Sequence, residues 1–289
     1  MADVVVVGGG LVGAACAYEL ARDGTSVVVL DAHDDGRATD AGAGILSPET
    51  ALSESSDDAF LALGDLAGDH YRALVPELAE LGAPDPAYDV CGALRIAFRE
   101  VDDPFYAENR ALSFARHGDV LVDLAPDDAR AMFPPLADVR AAYLNPRGAR
   151  VDGRAMCAAL ERGARVRGVR WLRDRASRVN RGRGRVTGVV TETGETHACA
   201  TVVVAGGAWT PEIARSLDCT VAVRPQRGQI VHLRVAGDVD TARWPVLQPV
   251  LSHYVVPWPE GRVALGATME DAGFDARPTV GGMRQLLSE

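Results

Sequence analysis

The chain has 289 residues, enough for one large domain or two closely joined ones with a buried core. Hydrophobic residues make up 47% and charged residues 24%, as in ordinary globular proteins. A formal net charge of −10 argues against binding nucleic acid or an anionic membrane through the overall field.

Asp3 is followed by four valines, Val4 to Val7, and then by Gly8, Gly9 and Gly10. A short β-branched run without alternation predicts a strand buried on both faces, as in a parallel sheet. It is far too short to span a bilayer and no signal peptide is recognisable, so the expectation is a cytoplasmic protein. Leu11 to Asp23 reads as a helix stopped by Gly24, and Ser26 to Leu30 as a second buried strand ending at Asp31. Together they form a complete βαβ unit.

Residues 34–58 are rich in Gly, Ala, Asp and Ser and read as a loop with short helical stretches. Phe60 to Leu81 carries leucines near helical spacing, and residues 88–99 predict strands of a different sheet. Asp127 to Phe133 and Ala155 to Ala164 read as helices. Residues 165–204 alternate short strands with glycine turns and end in Thr201 to Val204. Gln229 to Leu233, Tyr254 to Pro257 and Arg262 to Gly266 predict antiparallel strands. The fold class is therefore α/β, α+β overall: a Rossmann-type domain interleaved with an antiparallel-sheet domain.

Several features carry no chemistry of their own. All 30 basic residues are arginine, which we read as codon bias. Fourteen of them fall between Arg140 and Arg185, without any RNA-binding motif, and read as a solvated face. The five cysteines are scattered and form no CxxC pair, so no metal site is expected, and small buried thiols in a reducing compartment fit best. His253 reads as structural.

The chemistry starts at Gly8-Gly9-Gly10-Leu11-Val12-Gly13, a GxGxxG on a strand-to-helix turn. Gly8 permits the tight turn, Gly10 lets a diphosphate approach the backbone, and Gly13 lets helix and strand pack closely. The helix N-terminus adds free N–H groups and partial positive charge. Asp31 stands 23 positions after Gly8, at a strand end, where a carboxylate can accept hydrogen bonds from ribose hydroxyls. Two features favour FAD over NAD. The small, polar stretch Arg37 to Leu46 suits a cofactor lying along its backbone, and Val202 to Trp209 repeats a buried strand ending in small residues.

On these residues the chain resembles the D-amino acid oxidase family, near glycine oxidase and the sarcosine oxidase-like enzymes. Gly8 to Gly13, Arg37 to Leu46 and Val202 to Trp209 are similar to its three FAD-contacting segments. Pro225 to Gln229 is similar to its PxRGQ turn, and Tyr254 to Pro257 with Gly261 to Glu270 to its Y-x-x-P…GR…GATxE stretch. The resemblance covers essentially the whole chain, in the family's order.

It implies an FAD-dependent oxidation of a small amine or amino acid such as glycine, sarcosine or a D-amino acid, with dioxygen or an electron carrier reoxidising the flavin. A flavin dehydrogenase serving a quinone or partner protein is the alternative. The implied cofactor residues are Gly8, Gly10, Leu11, Val12, Gly13, Asp31, Ala32, Ala38, Thr39, Ala43, Gly44, Ile45, Ala176, Ala205, Gly206 and Trp209. By residue type alone Trp209 reads as packing. Tyr254 matches a substrate-facing tyrosine. The implied division is an FAD-binding domain over 1–86 and 140–220 and a substrate-binding domain over 87–139 and 221–289.

Family members carry a further segment with a GLRP-type arginine for the substrate carboxylate, which this sequence does not match. The expectation is a fragment, a C-terminal partner chain or homo-oligomer, or a non-catalytic subunit of a split enzyme. Exposed apolar surface is expected near residue 289.

Overall fold

The structure, a computed structural model, describes residues 1–50 and 57–288; the end of the loop expected over 34–58 lies partly outside these residues. In chain order the elements are β1 (Val4–Val7), α1 (Leu11–Arg22), β2 (Val27–Leu30), α2 (Ala38–Ala41), β3 (Ile45–Leu46), α3 (Asp58–Glu80), β4 (Ala93–Ala97) and α4 (Asp103–His117). Then come β5 (Val122–Leu124), α5 (Pro126–Met132), β6 (Ala141–Asn145), β7 (Ala149–Arg150), α6 (Gly153–Val166), β8 (Arg170–Leu172), β9 (Ala176–Gly182), β10 (Arg185–Thr191) and β11 (Thr196–Ala198). The remainder is β12 (Thr201–Val204), α7 (Thr210–Ala214), β13 (Ile230–Arg234), β14 (Val246–Pro249), β15 (Tyr254–Pro257), β16 (Arg262–Gly266) and α8 (Val280–Ser288).

β1 lies between β2 and β12 in a parallel sheet of order β12-β1-β2-β8. Its four valines are all buried, as a strand covered on both faces requires. On one face α1 and α6 pack through small residues, including Ala14, Ala17, Ala159 and Gly163, so their axes approach closely. On the other face β9 and β10 contribute Val179 and Val189 to a core with Val5, Val28 and Leu30.

The second sheet has seven strands in the order β13-β16-β15-β14-β4-β6-β5. It is antiparallel except where β14 runs parallel to β4, with Leu247 opposite Leu94. That junction joins two stretches of chain separated by the strands of the first sheet, so no hairpin sets its direction. β6 pairs with β4 and β5 in this sheet, although the sequence places residues from 140 onward with the first domain. α4 gave no sequence signal because the face it buries is largely polar: Asn109, Ser113 and His117 beside Tyr106. Among the described residues no helix is long and apolar enough to cross a membrane. Met269, Phe274, Val280, Met283 and Leu287 expose apolar surface toward the C-terminal end, as expected.

Candidate functional site

The turn after β1 is built as its glycines require. Gly8 has φ +100°, and a Cβ there would lie 2.4 Å from the Ala205 carbonyl oxygen. A Cβ on Gly13 would lie 1.9 Å from the Gly8 carbonyl oxygen, so α1 can start against β1 only with glycine at this position. Gly10 is the N-cap of α1 and supplies no side-chain acceptor, which leaves the amides of the first turn to a ligand or to neighbouring groups. Leu11 N–H donates to Thr39 Oγ1 at 3.0 Å, which brings the segment after β2 over the helix N-terminus.

Asp31 ends β2 and is 8% exposed. Its Oδ1 accepts from Gly9 N–H at 3.0 Å and its Oδ2 from Arg37 Nη1 at 3.2 Å. Arg37 also pairs with Asp40 at 3.0 Å. Burial alone would lower the Arg37 pKa, but hydrogen bonding and charge from Asp40, then the charge of Asp31, raise it overall. Arg37 is thus a locked cation beside the expected ribose carboxylate. The sequence reading missed it because its partners emerge only when the loop folds back.

Of the other expected cofactor residues, Thr39, Ala205 and Gly206 come to this turn from distant parts of the chain. Ala205 N–H donates to the Val7 carbonyl at 2.8 Å, which places Ala205 and Gly206 beside the first glycine. Thr39, with α2, carries the chain to Gly44, whose φ is +81° and whose carbonyl accepts from Val151 N–H at 2.9 Å. Ile45 and Leu46 then pair with Arg150 and Ala149. Ala176 begins β9 and packs in the same core as Leu30 and Leu172. Trp209 stacks on Phe274, centroids 5.0 Å apart, in line with the packing role its residue type suggests.

Tyr254 comes from the other sheet. Alternate residues share a face, so Tyr254 and Val256 of β15 project with Val246 and Gln248 of β14 and with Ala93 and Arg95 of β4. Ala43 and Ile45 pack against this face, in one cluster with Ala93, Val246, Val256, Trp258, Ala264 and Tyr254. Gly266, opposite Tyr254, makes room for the ring: a Cβ there would lie 2.7 Å from the tyrosine oxygen. Burial pushes the Tyr254 pKa up, so the hydroxyl stays protonated as a hydrogen-bond donor. A cavity opens where this face meets the loop, lined by Thr39, Ala43, Arg154, His232, Trp258 and Arg262 among others. Desolvation, then the charges of Arg262 and Arg154, lower the His232 pKa.

Arg150, on β7, ties the β3–β7 pair to the seven-stranded sheet. Its side chain is 1% exposed; Nη1 donates to the Pro257 carbonyl, and Nη2 to Asp89 and to the Ala242 carbonyl, each at 2.6 Å. Nothing in the local sequence distinguishes this arginine from the many around it.

A glycine-lined helix N-terminus, an acidic strand end and two further small-residue segments meeting it define a dinucleotide-binding oxidoreductase. The residues present fit FAD: Gly8 and Gly13 keep the turn free of side chains, Gly10 adds no side-chain cap to the helix, and the 38–45 segment leads from the turn to the second sheet. The family described as FAD dependent oxidoreductase (DAO) matches residues 3–289. The chain belongs to that family and is an FAD-dependent oxidoreductase.

It is 35% identical over 296 residues to the uncharacterized oxidoreductase YurR of Bacillus subtilis, covering 100% of this chain and 77% of the relative. It is 32% identical over 292 residues to glycine oxidase of Pseudomonas aeruginosa, covering 96% of this chain and 73% of the relative. Among solved structures, iminodiacetate oxidase from Chelativorans sp. BNC1 superposes with a TM-score of 0.89 at 32% identity, over 99% of this chain and 77% of that one. Glycine oxidase from Geobacillus kaustophilus gives a TM-score of 0.88 at 26% identity, over 99% and 76%.

Proposed function

We propose that the chain oxidises the carbon–nitrogen bond of a small amine or amino acid. The observation that carries this reading is the packing of the Tyr254 face of the seven-stranded sheet against Ala43 and Ile45, which continue from the dinucleotide turn. Relatives named for oxidising glycine and iminodiacetate support the substrate class.

FAD, when bound, takes up the two electrons released as the substrate becomes an imine, which water converts to an oxo-acid or aldehyde and ammonia, or an amine where the nitrogen is substituted. We assign Gly8, Gly10, Gly13 and the backbone of Leu11 and Val12 to its diphosphate, and Asp31 with Ala32 to the ribose. Ala38, Thr39, Ala43, Gly44 and Ile45 run beside the diphosphate and ring, Ala176 is assigned to the adenine, and Ala205, Gly206 and Trp209 to the third contact. Tyr254 donates its hydroxyl to the substrate carboxylate. The protein's share is position and electrostatics, so no acid–base dyad is required. The substrate-binding part runs over 87–145 and 221–289 in this reading, because β6 belongs to the larger sheet. Dioxygen or an electron carrier completes the cycle.

The test is anaerobic mixing of the FAD-loaded protein with glycine, sarcosine, iminodiacetate and D-amino acids, followed by visible absorbance. Bleaching by one of these amines is the expected result. A bound flavin that none of them reduces would overturn the proposal.

A further inference from the structure

The register of the larger sheet lines up a row of polar side chains on the face that carries Tyr254. Leu247 stands opposite Val255, which puts Gln248 beside Tyr254; Gln248 is opposite Arg95, and Arg95 is opposite Tyr143. Neighbouring strands lie about 4.8 Å apart, so the backbones at Tyr254 and Arg95 are separated by about 10 Å, with Gln248 between them.

Among the described residues the hydrogen-bond partners of Arg95 are neutral. Its Nε donates to Asn109 Oδ1 at 3.1 Å and its Nη1 to the Gln248 carbonyl at 3.5 Å. The nearby arginines are matched with acids: Arg99 with Asp102, Arg110 with Asp123 and Arg150 with Asp89. Among the described residues no carboxylate forms an ion pair with Arg95, and Asp123, which continues the row beyond Tyr143, is held by Arg110. Burial lowers the Arg95 pKa, which marks a desolvated cation. A desolvated guanidinium without a counterion is destabilising, and a site for an anionic ligand is where such an arrangement persists. Gln248 adds direction. Its Oε1 accepts from Thr50 Oγ1 at 2.9 Å, which fixes the amide with its oxygen on Thr50 and its nitrogen as the donor.

We propose that Arg95, assisted by Gln248, is a specificity-determining residue that selects amines carrying a second carboxylate. This rests on the reading above, in which one carboxylate of the substrate sits at Tyr254. The second then reaches the guanidinium two strands away, where a bidentate contact neutralises it.

The test compares the FAD-loaded protein with Arg95→Gln and Arg95→Lys variants, using iminodiacetate and D-glutamate against glycine and sarcosine. Loss of a charge-assisted pair predicts a fall in kcat/KM for the two dicarboxylates of about ten- to a hundredfold. For glycine and sarcosine the expected change is within about threefold, and lysine rescues only part of the loss because it lacks the planar fork. Equal losses for both substrate classes, or no loss, would overturn the proposal. Succinate and propionate titrations of the unmodified protein, read by tryptophan fluorescence, keep it testable if a variant misfolds or if no amine reduces the flavin. Tighter binding of succinate supports the proposal even where the amine-oxidation reading fails, and no preference overturns it.

Discussion

Replacing Arg150 with methionine tests whether one buried guanidinium joins the β3–β7 pair to the seven-stranded sheet. Methionine keeps the length of the stem, so little packing volume is lost. Asp89 is 49% exposed at the side chain and returns to water, so loss of the ion pair itself costs no more than about 1 kcal/mol. The carbonyls of Pro257 and Ala242 lose a charged donor, at about 1–3 kcal/mol for each that stays buried. The contact with the Trp258 ring, 5.7 Å from its centroid, adds about 0.5–1 kcal/mol. Recovery of the guanidinium's own desolvation offsets part of this sum, so the net destabilisation expected for Arg150→Met is about 2–4 kcal/mol. Asp89→Asn should cost about 1 kcal/mol or less. Urea unfolding of the FAD-loaded proteins measures both, as a shift of midpoint at constant slope. An Arg150→Met protein within about 1 kcal/mol of wild type, or an Asp89→Asn protein equally damaged, would refute the reasoning.

Gly13→Ala should abolish FAD retention and lower Tm, because its Cβ meets a backbone oxygen at 1.9 Å; an unchanged ratio of visible to ultraviolet absorbance would show that the turn adapts. Cys219 is exposed, whereas burial, the largest influence on Cys157, pushes that thiol up to about 11, so a thiol reagent at neutral pH should modify Cys219 and leave Cys157 intact. Mass mapping that finds Cys157 labelled in the folded protein would contradict this. The Glu270 carboxyl is held down at about 2 by hydrogen bonding from Arg227, then from Gln229 and Thr268. Its folded pKa lies below the ordinary 4.5, so its stabilising contribution is complete above pH 4.5 and lost as pH falls toward 2. Tm profiles of wild type and Glu270→Gln should therefore differ above pH 4.5 and converge in acid; a constant offset would exclude the linkage.

The nucleotide-binding core was legible because its signals are local. A buried strand, a glycine turn, a helix and an acidic strand end all fall within the first 31 residues, where Gly13 answers to the Gly8 carbonyl and Gly8 to Ala205 just after β12. The hydrophobic runs of β12, β13, β15 and β16 were equally readable. For these features the sequence by itself determined the fold class, the cofactor and the family.

Tertiary structure decided the rest, since register and burial are not properties of a local window. α4 stayed hidden because it buries polar groups against Tyr143, whose hydroxyl donates to Asn109 at 2.7 Å. β6 joined the larger sheet through pairing with β4, a contact that spans far more than a local window. Arg150 and Arg95 look alike in the sequence, yet one is neutralised by Asp89 beside two carbonyls and the other faces neutral acceptors beside Gln248. What separates them is the parallel pairing of β14 with β4, which brings together side chains 153 positions apart. Chain connectivity carries no trace of that distance, and the electrostatics of the site follow from it.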